Sequence, residues 1–399
     1  MQILVFNAGS SSLKYQLLEM PAGEVRAKGI AERIGMDSSI LIHTPAGCDK
    51  IKIEKPMPTH NEAITEVLAA LQHSEYGVID DMHNIAAVSH RIVHGGEYFT
   101  KSVLVTPDVI EKLHICSELA PLHNPSAILG IEACIKIMPD TPQITCFDTS
   151  FHQTMPEHAY IYALPYEYYT DYKIRRYGFH GTSHKYVAQQ AAKIVGKPIE
   201  DLNIITCHLG NGSSVTAIKG GKCIDTSMGF TPLAGVPMGT RTGDIDPAIV
   251  AYIADKKGIT ADEVVTILNK QSGVHGVSGL SSDFRDLYEA AEKNDHRATL
   301  ARDIFNYNVK KYIGSYIAAM GGVDVIVFTA GVGENDDWVR KDCLAGLESL
   351  GIAIDPAQNA IRVFPNDITA SGATVRTLVI STNEELMLAI DAQEIVNAL

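Results

Sequence analysis

The sequence lacks several things, and each absence closes off a class of protein. Among 399 residues there is one tryptophan, and aromatics make up 7%. The seven cysteines are an odd number and never fall in a C-x-x-C pair. A disulfide framework or zinc ribbon is therefore not expected; in apolar runs such as Ile144-Thr-Cys-Phe147 they read as small core hydrophobes of a reducing compartment. Lys plus Arg number 33 against 47 Asp plus Glu, a net charge of −14, which argues against general attraction to nucleic acid or an anionic membrane. No G-x-x-x-x-G-K-[ST] is present, and Gly331-Val-Gly-Glu-Asn-Asp336 lacks the third glycine of a dinucleotide fingerprint. Met1-Gln-Ile-Leu-Val-Phe-Asn7 carries no basic segment ahead of its apolar run and is not read as a secretory signal. The longest apolar stretch, 313–332, is interrupted by Tyr316, Gly321, Gly322 and Asp324, so no membrane span is expected. These absences together point to the cytoplasm.

What is present is the material of a folded core. Hydrophobic residues are 46% and charged residues 20%, an ordinary balance for a globular chain, and the length allows two or three domains at about 150 residues each. The first residues read as a hairpin: a strand from Ile3 to Phe6, a turn Asn7-Ala-Gly-Ser-Ser-Ser12, then alternation through Leu13, Tyr15 and Leu17. A similar unit recurs at 203–221, where an apolar run meets the turn His208-Leu-Gly-Asn-Gly-Ser-Ser214 and a strand ends at Gly220-Gly221. A repeat this distant is too long for a solenoid and implies two related lobes. Further strands are predicted at 85–89, 143–147, 323–329 and 374–380. Helices are predicted at 60–72, 107–117, 125–137, 184–195, 246–256, 296–319 and 382–397. Alternating strands and helices make the fold class α/β. The predicted lobes are 1–149 rejoined by 384–399, and 150–383. Loops are expected at 56–59, 154–157 and 230–247; the last holds Gly239-Thr-Arg-Thr-Gly-Asp244, and structureless loops of that length are usually functional.

The paired Gly/Ser turns are the first candidate site. Glycine lets backbone approach an anion while N–H groups and serine hydroxyls point into the turn, so two such turns, with Ser10 and Ser12 in the first, could clamp a polyphosphate. Several residues have structural alternatives. Asn7 could shape the hairpin turn, Ser381-Thr-Asn-Glu384 fits a helix capping box, and Arg241 could pair with Asp244. His90 with His94, and His180 with His184, have metal-pair spacing, but no third ligand accompanies them and no zinc site is expected.

Taken together, 3–14, 205–221, Phe179-His-Gly-Thr-Ser-His184, 232–246 and Phe328-Thr-Ala-Gly-Val-Gly-Glu-Asn335 resemble the signature segments of the acetate kinase family across essentially the whole chain. The resemblance implies a two-lobed actin-like ATPase fold, ribonuclease H-like, with duplicated βββαβαβα lobes around a nucleotide cleft, in a homodimer. It implies reversible, Mg²⁺-dependent transfer from ATP to acetate, giving acetyl phosphate and ADP by direct in-line transfer, with Mn²⁺ as a substitute metal. By the same resemblance, Asn7 and Glu384 hold the metal and Lys14 meets a nucleotide phosphate. His208, Leu209, Gly210, Asn211 and Gly212 approach the phosphates, and Asp283, Phe284 and Arg285 with Gly331, Val332, Gly333, Glu334 and Asn335 hold adenosine. For the last segment, a strand ending in Gly-x-Gly would permit close packing on a flat ligand.

Phosphoryl transfer is mostly positioning and stabilisation of spread negative charge. Arg91, Arg241 and His180 match the family's positive groups, and Asp148 matches its catalytic carboxylate. A base role for Asp148 is not expected. A small carboxylic acid has a pKa close to the value of about 4.3 for Glu, so acetate is already ionised at pH 7; Asp148 is expected to orient the substrate or a metal-bound water. Val93, Leu122, Phe179 and Pro232, beside Arg91, correspond to the apolar methyl pocket. One methylene there is worth only about 1–3 kcal/mol, which leaves a propionate kinase as an alternative. A nucleotide-switched binding protein of the actin or Hsp70 type is another.

Overall fold

The computed structural model describes residues 1–36, 38–121 and 123–399, in two compact units: Met1–Phe151 with Asn383–Leu399, and His152–Thr382. The first unit contains the strands β1 (Gln2–Ala8), β2 (Ser12–Glu19), β3 (Glu24–Glu32), β4 (Ile40–Pro45), β5 (Ile51–Glu54), β6 (Ile85–Ile92), β7 (Val103–Leu104) and β8 (Gln143–Phe147). They form one mixed sheet in the order β5-β4-β3-β2-β1-β6-β8-β7. β1 is central because Ile3, Leu4, Val5 and Phe6 have apolar neighbours on both faces. Leu4 and Phe6, with Leu13, Tyr15 and Leu17 of β2, pack on one side with buried residues of the helices His60–Leu71 and Asn124–Ile137. On the other, Ile3 and Val5 pack with Leu388, Ala389 and Ala392 of the helix Glu384–Val396.

The second unit contains β9 (Asn203–Leu209), β10 (Ser213–Lys219), β11 (Lys222–Thr226), β12 (Val325–Thr329), β13 (Asn366–Asp367) and β14 (Arg376–Val379). Their order is β11-β10-β9-β12-β14-β13. In each sheet three antiparallel strands lead into two parallel ones: β3-β2-β1-β6-β8 in the first, β11-β10-β9-β12-β14 in the second. The duplication seen in the hairpins therefore extends through both α/β sheets. Ile205, Cys207, Val215 and Ala217 of the second sheet form one core with Phe305, Val309 and Ile313 of the long helix His296–Met320.

Local signals explain the element ends. Thr59 and Glu62 form a reciprocal capping box, and Thr106 caps a helix with Pro107 in its first turn. The capping box that Ser381–Glu384 offered as an alternative does not form. Asn383 is the N-cap, its Oδ1 accepting the Leu386 N–H, and Glu384 is the first helical residue. The strands β3, β4 and β5 and the helices Ala261–Lys270, Phe284–Glu292 and Asp337–Leu344 lie outside the predicted elements. The first of these helices buries only Val264 and Leu268, too thin a stripe for periodicity to reveal. Six cysteines are buried, Cys48 is exposed, and all seven are free thiols. Among the described residues no helix is long and apolar enough to cross a membrane.

Candidate active site

In the first unit the candidate residues gather at the ends of parallel strands. β6 and β8 run side by side, with Arg91 opposite Cys146, and the Asp148 N–H continues the ladder to the Ile92 carbonyl at 2.9 Å. This register brings Arg91 to Asp148, which follows directly on β8. Arg91 donates from Nε to Oδ1 at 2.9 Å and from Nη2 to Oδ2 at 2.7 Å. Asp148 is buried, and its side chain is 3% exposed against 21% for Arg91. The Asp148 charge holds the Arg91 proton more firmly than usual, against the opposing effect of burial. Burial raises the Glu384 pKa, the nearby Arg91 charge pulls it down, and Asp148 pushes it up.

Asn7 lies within β1, opposite Lys14 of β2, and so does not shape the turn. Beyond this pair the Gly9 N–H donates to the Ser12 carbonyl at 2.8 Å. Buried His60 reaches the Gly9 carbonyl through Nε2 at 2.8 Å, and the Ile34 N–H reaches Ser11 at 3.0 Å, so the turn that carries Ser10 and Ser12 is held from two sides. Val93 is half-buried just after β6. Leu122 lies outside the described residues.

The second unit assembles the other candidates. Thr206 and His208 on β9 pair with Thr216 and Ser214 on β10, and the polar side chains of His208 and Ser214 meet the helix Gly181–Val195. His180, the residue before that helix, has φ of +58°, a left-handed conformation uncommon outside glycine and often found at functional sites. It stacks on His208 at 4.1 Å between centroids, and its Nδ1 is 2.8 Å from Ser214 Oγ. His208 Nδ1 is 2.8 Å from Ser183 Oγ. The Gly212 backbone faces the same group: a Cβ built there would sit 3.4 Å from His180 Nε2 and 3.7 Å from Arg241 Nη1.

Arg241 does not take Asp244 as its partner. Its Nη1 donates to the Pro232 carbonyl at 3.0 Å, while Asp244 accepts the Gly235 N–H at 2.8 Å and the Tyr312 hydroxyl at 2.5 Å. Burial lowers the Arg241 pKa. Pro232 is thus drawn to Arg241, and Phe179 is buried beside His180 with its carbonyl 2.9 Å from His152 Nε2.

A cavity of about 780 Å³ brings together Gly210 and Asn211, Asp283 to Arg285, and Gly331, Val332 and Asn335. Their contributions differ. Leu209 and Phe284 are core residues, Asp283 caps a helix and pairs with Arg285, and Gly331 is open, since a Cβ there meets nothing within 4 Å. The expectation of a strand ending in Gly-x-Gly needs correction. β12 stops at Thr329, and 331–335 lie in the helical turn Ala330–Asn335. Glu334 closes that turn, its carboxylate accepting the Ala330 N–H at 2.8 Å and the Ser381 hydroxyl at 2.8 Å.

Three contributors escaped sequence reasoning. Arg340 is 1% exposed and donates to the Gly333 and Glu334 carbonyls and to Asn359, holding the turn from beneath. Trp338 and Tyr288 line the cavity with ring centroids 5.9 Å apart. The single tryptophan in the sequence was the available signal; for Arg340 there was none, because its partners are three backbone carbonyls and one Asn359 side-chain oxygen.

The chain is similar to known proteins over its whole length. Residues 2–390 match the acetokinase family. The chain belongs to that family. It is 62% identical over 400 residues to the acetate kinase of Thermoanaerobacterium thermosaccharolyticum, covering 100% of both chains. Among solved structures, the acetate kinase of Porphyromonas gingivalis superposes with a TM-score of 0.96 at 46% identity, with 99% of each chain covered. A propionate kinase from Francisella tularensis superposes at 0.90 with 42% identity and 98% coverage of each. Both units therefore have the acetokinase α/β fold, and the protein is an enzyme of the phosphotransferase class.

Proposed function

We propose that the chain catalyses reversible transfer of the terminal phosphoryl group of ATP to acetate by a direct in-line step, with Arg91, Asp148, His180 and Arg241 as its working residues. Acetate kinase activity is the activity of this family; the residue assignments are ours. The observation that carries them is the Arg91–Asp148 pair. A guanidinium has five N–H donors, and Asp148 takes two, fixing the plane of Arg91 and leaving three for an incoming carboxylate or phosphoryl oxygen. Because acetate arrives ionised, no proton has to be removed, and Asp148 serves by aiming Arg91. Arg241 and the Nε2 side of His180 supply further donors where charge spreads over the transferred group.

The cavity formed by Gly210, Asp283 to Arg285 and Gly331 to Asn335 supports nucleotide binding there, with Trp338 and Tyr288 offering flat apolar surface. His208, Gly212, Lys14, Ser10 and Ser12 are the proposed phosphate contacts. Val93, Phe179 and Pro232 are the proposed neighbours of the acetate methyl. Asn7 and Glu384 fit a Mg²⁺ ion: both offer hard oxygen donors, and burial burdens the Glu384 carboxylate in a way that a cation would relieve. When bound, the ion would neutralise phosphate charge. A cytoplasmic homodimer is the proposed working form.

Trapping acyl phosphate with hydroxylamine tests the reading. Acetate should give the highest kcat/KM, propionate a lower one and butyrate the least; a propionate optimum would make the chain a propionate kinase. ATP turnover that needs no carboxylic acid would overturn the proposal.

A further inference from the structure

Behind His180 lies a row of side chains that the proposed chemistry does not use. Ser214 Oγ is 2.8 Å from His180 Nδ1 and also 2.8 Å from Nε2 of His184. The other nitrogen of His184, Nδ1, is 2.7 Å from Thr206 Oγ1. Thr206, His184 and Ser214 are all fully buried, and burial pushes the His184 pKa well below the usual imidazole range, with neighbouring His152 and His208 adding to the effect. His184 is therefore neutral and carries one ring proton, which must sit on either Nδ1 or Nε2.

A single hydroxyl between two imidazoles donates to one and accepts from the other, so the row has a direction. In one direction the Thr206 hydroxyl donates to His184 Nδ1, His184 Nε2–H donates to Ser214 Oγ, and the Ser214 hydroxyl donates to His180 Nδ1. In the other, His184 donates from Nδ1 to Thr206, and the Thr206 hydroxyl proton must find an acceptor elsewhere. Among the described residues the Thr206 hydroxyl has no hydrogen-bond partner but His184. The second direction therefore orphans a buried donor, which costs free energy; the first leaves none unpaired.

We propose that Thr206, His184 and Ser214 form a directed hydrogen-bond chain that holds His180 as the neutral tautomer with its proton on Nε2. Nε2 is the His180 nitrogen that a Cβ built at Gly212 would approach, at 3.4 Å, with Arg241 Nη1 3.7 Å from the same point, so the chain turns that side of His180 into a donor. His184, Ser214 and Thr206 are positioning residues; they act through His180. Only the catalytic consequence rests on the function proposed above, because the tautomer is a property of the resting protein.

The test separates the two. In the full-length protein with ¹⁵N-labelled histidine, correlation spectra should show His180 protonated at Nε2 and bare at Nδ1. Thr206→Val keeps the shape of the side chain and removes its proton, and it should abolish that single tautomer. It should also lower kcat on the order of tenfold, the scale of one hydrogen bond, with KM for ATP unchanged. Thr206→Ser should restore both. Ser214→Ala should act like Thr206→Val and serves in its place if the valine variant does not fold. A wild-type His180 protonated at Nδ1, or an unchanged His180 tautomer in both Thr206→Val and Ser214→Ala, overturns the proposal. An altered tautomer with unaltered kcat upholds the chain and instead removes His180 from the reaction.

Discussion

The two units repeat one sheet order yet hold their candidate groups in opposite ways. In the first, formal charges hold one another: Arg91 is clamped by Asp148, with Glu384 and Lys14 close enough to affect the balance. In the second, neutral groups do the holding: His180, His184 and His208 are set by serine and threonine hydroxyls, and Arg241 by a backbone carbonyl. A duplicated backbone thus fixes where a site lies while leaving its electrostatics free to diverge. The charged half should be robust to small shifts but costly to dismantle, because removing one member strands the other. The neutral half depends on close fit.

Substituting the two arginines tests this contrast most directly. Arg91→Ala and Arg241→Ala should each lower kcat about 10²–10³-fold, the usual loss for a group that stabilises transition-state charge. Their effects on stability should differ. Arg91→Ala leaves the buried Asp148 carboxylate unpaired and should cost about 3–5 kcal/mol, whereas Arg241→Ala frees one carbonyl and should cost about 1 kcal/mol. Urea denaturation of both variants measures the difference, and equal losses would break the comparison.

The neutral half should respond more sharply to added volume. Gly273 has φ of +61°, and a Cβ there would lie 2.1 Å from the Met238 carbonyl and 2.7 Å from that of Arg241. Backbone cannot swing aside as a side-chain tip can, so Gly273→Ala should cost about 2–4 kcal/mol and lower kcat by displacing Arg241. Wild-type kinetics in this variant would show that the loop tolerates movement.

Asp148→Asn keeps a hydrogen-bonding partner for Arg91 and removes the charge. A loss in kcat of about 10- to 100-fold is expected, equivalent to about 1.4–2.7 kcal/mol, without change in the acidic limb of the pH–rate profile. Loss of that limb would make Asp148 a base and overturn its role in aiming Arg91.

Acid titration gives the smallest effect for each group and is common to both units. Burial pushes His90 and His94 in the first unit down to about 4, and His184 in the second well below its usual range. Unfolded imidazoles titrate near 6.5. As pH falls from about 6.5 toward 5, the unfolded chain takes up protons that the folded chain refuses, so stability must fall, by at most about 1.4 kcal/mol per pH unit for each imidazole. Above about pH 7 the three contribute no pH dependence. Urea midpoints at pH 7, 6 and 5 measure the slope; a flat profile would mean that these rings are solvated.

Much of this was legible along the chain, for reasons that particular residues make plain. Alternation at Leu13, Tyr15 and Leu17 marked β2 because a half-buried strand must alternate, and the repeated Gly/Ser turn exposed the duplication because both copies kept their turn residues. The helix predicted at 60–72 forms as His60–Leu71, and the structure adds the Thr59–Glu62 capping box that starts it. By contrast β3, with Gly29 in its middle and exposed residues at its start, carries no clean period. The Gly331 segment looked like a strand end because glycine is as permissive in one conformation as in another. Arg340 and the Thr206–His184–Ser214 row were invisible, since each is held through carbonyls, amides or hydroxyls that any sequence contains.

The sequence by itself determined the α/β class, the duplication and the family, because these rest on local periodicity, turn chemistry and runs of adjacent residues. Only the tertiary structure decided that Arg91 belongs to Asp148, that Arg241 does not belong to Asp244, that Asn383 rather than Ser381 caps the last helix, and that a hydroxyl sits between two imidazoles. Those are pairings across strand register and helix packing. Their free energy depends on burial and on which polar group would otherwise be left unpaired, and a linear order of residues carries neither.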